Sequence, residues 1–255
     1  MDTELAALLP HLSVPDIADP GLARQDLQNM LVMATGSRRP SWTERVEVSA
    51  STVAATDGYS IPIRIYRPQG GRSPRGVLVH YHGGAFVSGD LGLSEYAVGR
   101  MADLAHVVVV DVDYRLAPEH RFPVGFEDCY AVFEWVAGSA ADLGIDPARI
   151  AVGGDSAGGA LAAAVALAAR DRGGPAIAYQ LLLYPVLDDR LRTKSVQEMV
   201  GVPMWDSPNT VLMWDHYLGP LTSRGEVSAY AAPMRAADLP GGLAGLPPTY
   251  ILACE

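Results

Sequence analysis

One serine sits where the chain should turn sharply from strand to helix. Residues 150–170 read IAVGGDSAGGALAAAVALAAR. A short apolar run, Ile150 to Val152, enters Gly153 and Gly154. Asp155, Ser156 and Ala157 follow, then Gly158, Gly159 and a run of small apolar residues. In that context Gly154-x-Ser156-x-Gly158 predicts a strand–turn–helix elbow that lifts the Ser156 hydroxyl above the sheet edge. Glycines leave room for so tight a turn. The helix beyond aims its first N–H groups at negative charge forming on the serine. The chemistry this predicts is nucleophilic attack by Ser156. A glycine-rich turn with an incidental serine is the plain alternative, and the order of strand, elbow and small-residue helix speaks against it.

Such a nucleophile needs donors for the oxyanion it creates. After apolar Val77 to Tyr81 comes His82-Gly83-Gly84-Ala85. Glycines there let the N–H groups of Gly83 and Gly84 point into a site unobstructed, and with that of Ala157 they can surround a tetrahedral oxygen. No Lys-Ser/Thr follows this loop, which excludes a nucleotide phosphate loop. No metal-ligand spacing links the cysteines and histidines, so neither metal nor organic cofactor is expected. Phe86, Trp205, Met213, Trp214 and Tyr217 are candidate walls of a substrate pocket, with plain packing as their alternative role.

The elements that must hold these residues follow from periodicity. Val46 and Val48, then Ile61, Ile63 and Ile65, alternate with polar residues around an Asp57-Gly58 turn, which predicts an antiparallel hairpin. Val77–Tyr81, Val107–Val112, Ile150–Val152 and Gln180–Tyr184 are short apolar runs suited to burial on both faces. Helical segments separate them, at about Ser94–Leu104, Phe126–Ala137 and Ala157–Arg170. This alternation predicts a mostly parallel sheet with helices on both faces, whose ligands bind at the carboxyl ends of the strands. Ala23, Leu27, Met30, Leu31 and Ala34 share one helical face, which suits a cover over the site. Beyond Leu187 the alternation stops. Ser207-Pro208 starts a helix and Gly219 ends it, with Val211, Trp214 and Leu218 on one face. Thr249–Ala253 returns to strand character.

The chain has 255 residues, 49% apolar and 19% charged, with a net charge of −10. That composition suits one large globular α/β domain. An acidic chain does not suit nucleic acid or an anionic membrane as partner. Cys129 and Cys254 read as buried thiols in a reducing compartment, hence a cytoplasmic protein. The acidic N-terminus is no signal peptide, and the most apolar helix is too short to span a bilayer.

Three motifs occur in order: His82-Gly83-Gly84, Asp113-Tyr114-Arg115-Leu116-Ala117-Pro118-Glu119 and Gly154-Asp155-Ser156-Ala157-Gly158-Gly159. With Tyr184-Pro185 and Pro247-Pro248-Thr249-Tyr250-Ile251-Leu252-Ala253, they resemble the hormone-sensitive-lipase-like bacterial carboxylesterases of the α/β-hydrolase fold. The resemblance implies a hydrolase core over residues 46–186 and 236–255 and a helical cap over 1–45 and 187–235. It implies hydrolysis of a small-molecule, short-chain acyl ester through an acyl-enzyme, with Ser156 as nucleophile and Gly83, Gly84 and Ala157 as oxyanion donors. His82 is then a structural member of the oxyanion loop, Asp155 steadies the elbow, and a homodimer is compatible with the family. Ala85 departs from a third glycine found in many members. The family's acid follows the strand at Thr249–Ala253 and its histidine comes after one more strand. Both positions lie past Glu255, and His11, His80, His106, His120 and His216 fall elsewhere. The expectation is a core without its C-terminal strand and helix, which alone turns over little ester. The rival readings are a receptor-like ligand binder on the same fold, an inactive fragment, and amide rather than ester hydrolysis.

Overall fold

The structure is a computed structural model that describes residues 16–35, 40–71, 73–220 and 226–253. Seven strands form one sheet among these residues: β1 (Val46–Ala54), β2 (Ser60–Pro68), β3 (Arg75–Tyr81), β4 (Val108–Val112), β5 (Ile145–Asp155), β6 (Tyr179–Leu183) and β7 (Thr249–Leu252). Their spatial order is β1-β2-β4-β3-β5-β6-β7. β1 and β2 form the predicted antiparallel hairpin, with Gly58 at φ 86° in its turn. β2 meets β4 antiparallel, and β4, β3, β5, β6 and β7 run parallel. β3 connects to β4 through the helix at Leu91–Ala105 on one face, and its neighbour β5 connects to β6 through the helix at Ala157–Asp171 on the other. The crevice where ligands bind an open α/β sheet opens at that point.

The helices are α1 (Pro20–Thr35), α2 (Leu91–Ala105), α3 (Val124–Gly138), α4 (Ala157–Asp171) and α5 (Ser207–Leu218), with shorter turns between. The period of two decides which face each strand residue serves. Val77, Val79 and Tyr81 of β3 join Val108, Val110 and Val112 of β4 in a core shared with Phe126 and Phe133 of α3 and Leu161 and Val165 of α4. Leu78, Val109 and Tyr66 cluster instead with Val98 and Ala102 of α2 and with Trp42. α4 is buried around its whole girth from Ala157 to Ala169, as expected for a helix made almost entirely of small apolar residues. Its first turn approaches β3 so closely that a Cβ on Gly158 would lie 1.9 Å from the Tyr81 carbonyl oxygen.

Two helix details differ from the sequence reading. α5 is capped by Asp206, whose carboxylate accepts the Asn209 N–H, so Ser207 is its first helical residue. Its buried face carries Met213, Trp214 and Tyr217, whereas Val211 is exposed. The Ser207–Pro208 start signal places the cap one residue late, because a carboxylate caps as well as a hydroxyl. Cys129 is free and buried; Cys254, His11 and Glu255 lie outside the described residues. β7 forms one outer edge of the sheet, and all four of its residues are exposed. No helix among the described residues is long and apolar enough to cross a membrane.

Candidate active site

Ser156 follows the last residue of β5 and precedes α4, with φ 53° and ψ −116°. A non-glycine residue in that region costs on the order of 1–3 kcal/mol and persists only where its surroundings enforce it. Here the backbone is pinned on both sides. The Ser156 N–H donates to Leu183 O at 2.8 Å, and its carbonyl accepts from Val186 N and Ala160 N, each at 3.2 Å. Gly154 is obligatory beneath it, since a Cβ there would stand 2.3 Å from Tyr81 O and 2.6 Å from the Gly158 backbone. Ala157 is the first residue of α4, so its N–H has no intrahelical partner.

The loop after β3 faces this elbow. Gly84 has φ 119°, Ala85 56° and Phe86 63°. Three donors converge on the Gly84 carbonyl: Val87 N at 3.0 Å, Ser88 N at 2.8 Å and Ser88 Oγ at 2.9 Å. The loop turns so tightly that a Cβ on Gly84 would fall 2.0 Å from Ser88 O. Gly83 differs from its neighbours. Its N–H donates to Asp155 Oδ1 at 3.2 Å, so it faces the carboxylate beside the nucleophile, not the space above it. Gly84, Ala85 and Ser156 together line one cavity. Among the described residues the N–H groups of Gly84, Ala85 and Ala157 take no protein partner. The motif His82-Gly83-Gly84 suggests that both glycines donate into the site. In the structure Asp155 does more than steady the elbow: its carboxylate occupies the first of these donors.

Beneath the loop lies a buried polar row. His80 Nδ1 bonds Asp111 Oδ1 at 2.8 Å, Ser94 Oγ donates to the other Asp111 oxygen, and His80 Nε2 stands 3.7 Å from Asp155 Oδ1. Burial works against a charged imidazole. The Asp111 hydrogen bond and charge, with the charge of Asp155, outweigh it and raise the His80 pKa. His82 is turned away from Ser156. Its Nδ1 donates to Gly83 O at 2.7 Å, its ring stacks on Tyr114 at 4.4 Å, and the Tyr114 hydroxyl donates to its carbonyl. Burial pushes the nearby Asp113 carboxyl up, the His82 charge opposing. His216 bonds the Ile17 carbonyl. Among the described residues no histidine is hydrogen-bonded to the Ser156 hydroxyl.

Ion pairs hold the charged loop after β4. Arg115 forms a two-pronged pair with buried Asp128 and reaches Asp57 at 2.6 Å. Glu119 pairs with Arg24 of α1, which also donates to Val87 O and Ala117 O. Arg24 thus ties α1 across the oxyanion loop. That loop and α1 enclose a cavity of about 180 Å³ against Ser156. Ala23, Asp26, Leu27 and Met30 form its α1 wall, Gly84, Ala85 and Ser88 its floor beside Ser156, and Ile17, Met204 and Trp205 complete it.

Of the five expected pocket residues, Trp205 lines this cavity. Phe86, Met213, Trp214 and Tyr217 do not. Phe86 stacks on Tyr217 at 3.9 Å and lies 5.8 Å from Trp214, and all four side chains are buried in the core. They fasten α5 to the oxyanion loop. The aromatic bulk of these residues resembled a pocket lining, but bulk without a free face is packing. The sequence reading missed Asp26, although the spacing of Ala23, Leu27 and Met30 passes through it. It also missed His80 and Asp111, which stand out as ionisable residues inside apolar strand runs.

A family model for the α/β-hydrolase fold matches residues 78–255. Carboxylesterase NlhH of Mycobacterium tuberculosis is 38% identical over 226 residues, which cover 85% of this chain and 67% of that protein. Esterase LipI of the same species is 41% identical, over 77% of this chain and 61% of that protein. The chain thus spans about two thirds of the length of these curated relatives. Among solved structures, a bacterial heroin esterase superposes with a TM-score of 0.91 at 41% identity, covering 98% of this chain and 78% of that one. An esterase of the archaeon Pyrobaculum calidifontis gives 0.85 at 33% identity, with the same coverage.

Proposed function

The chain belongs to the α/β-hydrolase fold family, in its hormone-sensitive-lipase-like branch, and we propose that it carries the nucleophile and oxyanion site of a serine carboxylesterase for small acyl esters. The observation that carries this reading is the strained Ser156, pinned at φ 53° on a cavity it shares with Gly84 and Ala85. In the proposed reaction the ester carbonyl sits over Ser156 Oγ. Attack forms the Oγ–C bond and moves the carbonyl electron pair onto oxygen. That oxyanion is received by the N–H groups of Gly84, Ala85 and Ala157. Collapse expels the alkoxide, which takes up the proton shed by Oγ and leaves as alcohol, and the acyl group stays on Ser156 until water removes it through a second tetrahedral intermediate.

The proton on Oγ needs an acceptor, and His80 and His82 are committed elsewhere. The acceptor in this reading is a histidine outside these 255 residues, where the family places it. Asp155 keeps Gly83 in register below the two donors, and Arg24 and Phe86 fix the loop from above and behind. The test is hydrolysis of p-nitrophenyl acetate by the protein expressed from its own gene. Ser156→Ala should lower kcat by at least about 10³-fold. Equal rates in the two proteins would overturn the reading and leave the receptor-like alternative.

A further inference from the structure

We infer that the cavity at Ser156 is fitted for an ester bearing an alkylammonium group, held between the Asp26 carboxylate and the Trp205 indole. This rests on the esterase reading above and names its substrate class. α1 turns Ala23, Asp26, Leu27 and Met30 toward the cavity, the i, i+3, i+4, i+7 spacing of a single helical face. Such a face over a neutral acyl pocket would be apolar throughout. Asp26 interrupts it, and among the described residues it is the one acidic or basic side chain in the lining. Among the described residues it has no ion-pair partner. Arg24, two residues earlier, is already occupied by Glu119 and two carbonyls.

The other lining groups suit the same ligand. The Trp205 indole N–H donates to Thr210 Oγ1 at 3.0 Å, which leaves the ring's π face as its means of binding, and such faces attract alkylammonium ions. Met30 and Met204 add soft, polarisable thioethers. Among the described residues no basic side chain lines the cavity to balance Asp26. Asp26 is exposed and has no ion-pair partner among the described residues, so a cationic ester in the cavity meets an opposite charge that a neutral ester leaves unused. The net charge of −10 draws cations toward the chain as a whole.

The test is equilibrium binding to Ser156→Ala protein expressed from its own gene, so that no ester is consumed. Acetylcholine and its neutral isostere 3,3-dimethylbutyl acetate are titrated in parallel by ligand-observed NMR. Acetylcholine should bind about three- to tenfold more tightly. The preference should vanish in Asp26→Asn, survive in Asp26→Glu, and shrink as NaCl rises from about 20 mM to about 0.5 M. Asp26 is exposed, and a thermal melt will verify that both variants stay folded. Equal binding of the two esters, no binding of acetylcholine, or a preference that persists in Asp26→Asn would overturn the proposal. Failure of the esterase reading looks different: hydrolysis of p-nitrophenyl acetate would ignore Ser156→Ala while the binding ratio stayed as measured.

Discussion

Replacing Gly84 by alanine tests whether the oxyanion loop works as its geometry implies. The new Cβ would stand 2.0 Å from Ser88 O and 2.5 Å from Ser88 C. Both are backbone atoms of the same turn, so no side chain can swing aside. At φ 119° an alanine is also strained, on the order of 1–3 kcal/mol. The loop relieves both by opening, and opening forfeits the three hydrogen bonds onto the Gly84 carbonyl. At about 1 kcal/mol each, these amount to about 3 kcal/mol. Opening also carries the Gly84 and Ala85 donors away from Ser156, and one lost donor alone lowers kcat by about 10²–10³. Urea unfolding and p-nitrophenyl acetate kinetics should therefore report about 3 kcal/mol of lost stability and at least a 10²-fold fall in kcat. Gly70→Ala is the control, because Gly70 has φ 63° with nothing within 4 Å of its would-be Cβ. It should lose about 1 kcal/mol and leave kcat unchanged. A Gly84→Ala protein within threefold (about 0.6 kcal/mol) of wild-type kcat would refute the assignment of this loop.

Two further outcomes follow from buried contacts. His80 is held charged above its usual pKa of 6.5, so its contribution to stability is whole below that pH and is lost as pH rises through the higher folded value. Urea unfolding from about pH 5.5 to about pH 8.5 should show stability declining across the alkaline half, with a flatter profile in His80→Gln; identical profiles would contradict the charged row. Gly99→Ala would place a Cβ 2.3 Å from the ring of buried Trp42. It should cost about 1–3 kcal/mol in urea unfolding by overpacking α2 against the Trp42 ring.

The strands and helices around the site were legible because apolar period and glycine punctuation fix them locally. Ser156 was legible because only a strand–elbow–helix satisfies Gly154, Gly158 and the small-residue run together. What the sequence left unread depends on contacts distant along the chain. Gly83 looked like a second donor until Asp155, 72 residues later, took its N–H. Phe86 and Tyr217 looked like pocket walls, yet they meet face to face across 131 residues and bury each other. His80 and Asp111 were lone charges in two separate strands until parallel pairing set them side by side. In each case a motif gave the residue type and tertiary packing chose its role.

In the proposed reaction Ser156 Oγ is the group that attacks. The most direct test is intact-mass and peptide analysis after treating the protein expressed from its own gene with diethyl p-nitrophenyl phosphate. That reagent passes its diethylphosphoryl group to an activated oxygen and expels p-nitrophenolate. One adduct per chain is predicted, on the Ser156 hydroxyl, absent in Ser156→Ala, with esterase activity lost in proportion to labelling. Activity lost through an adduct on another residue, or labelling that persists in Ser156→Ala, would contradict the account.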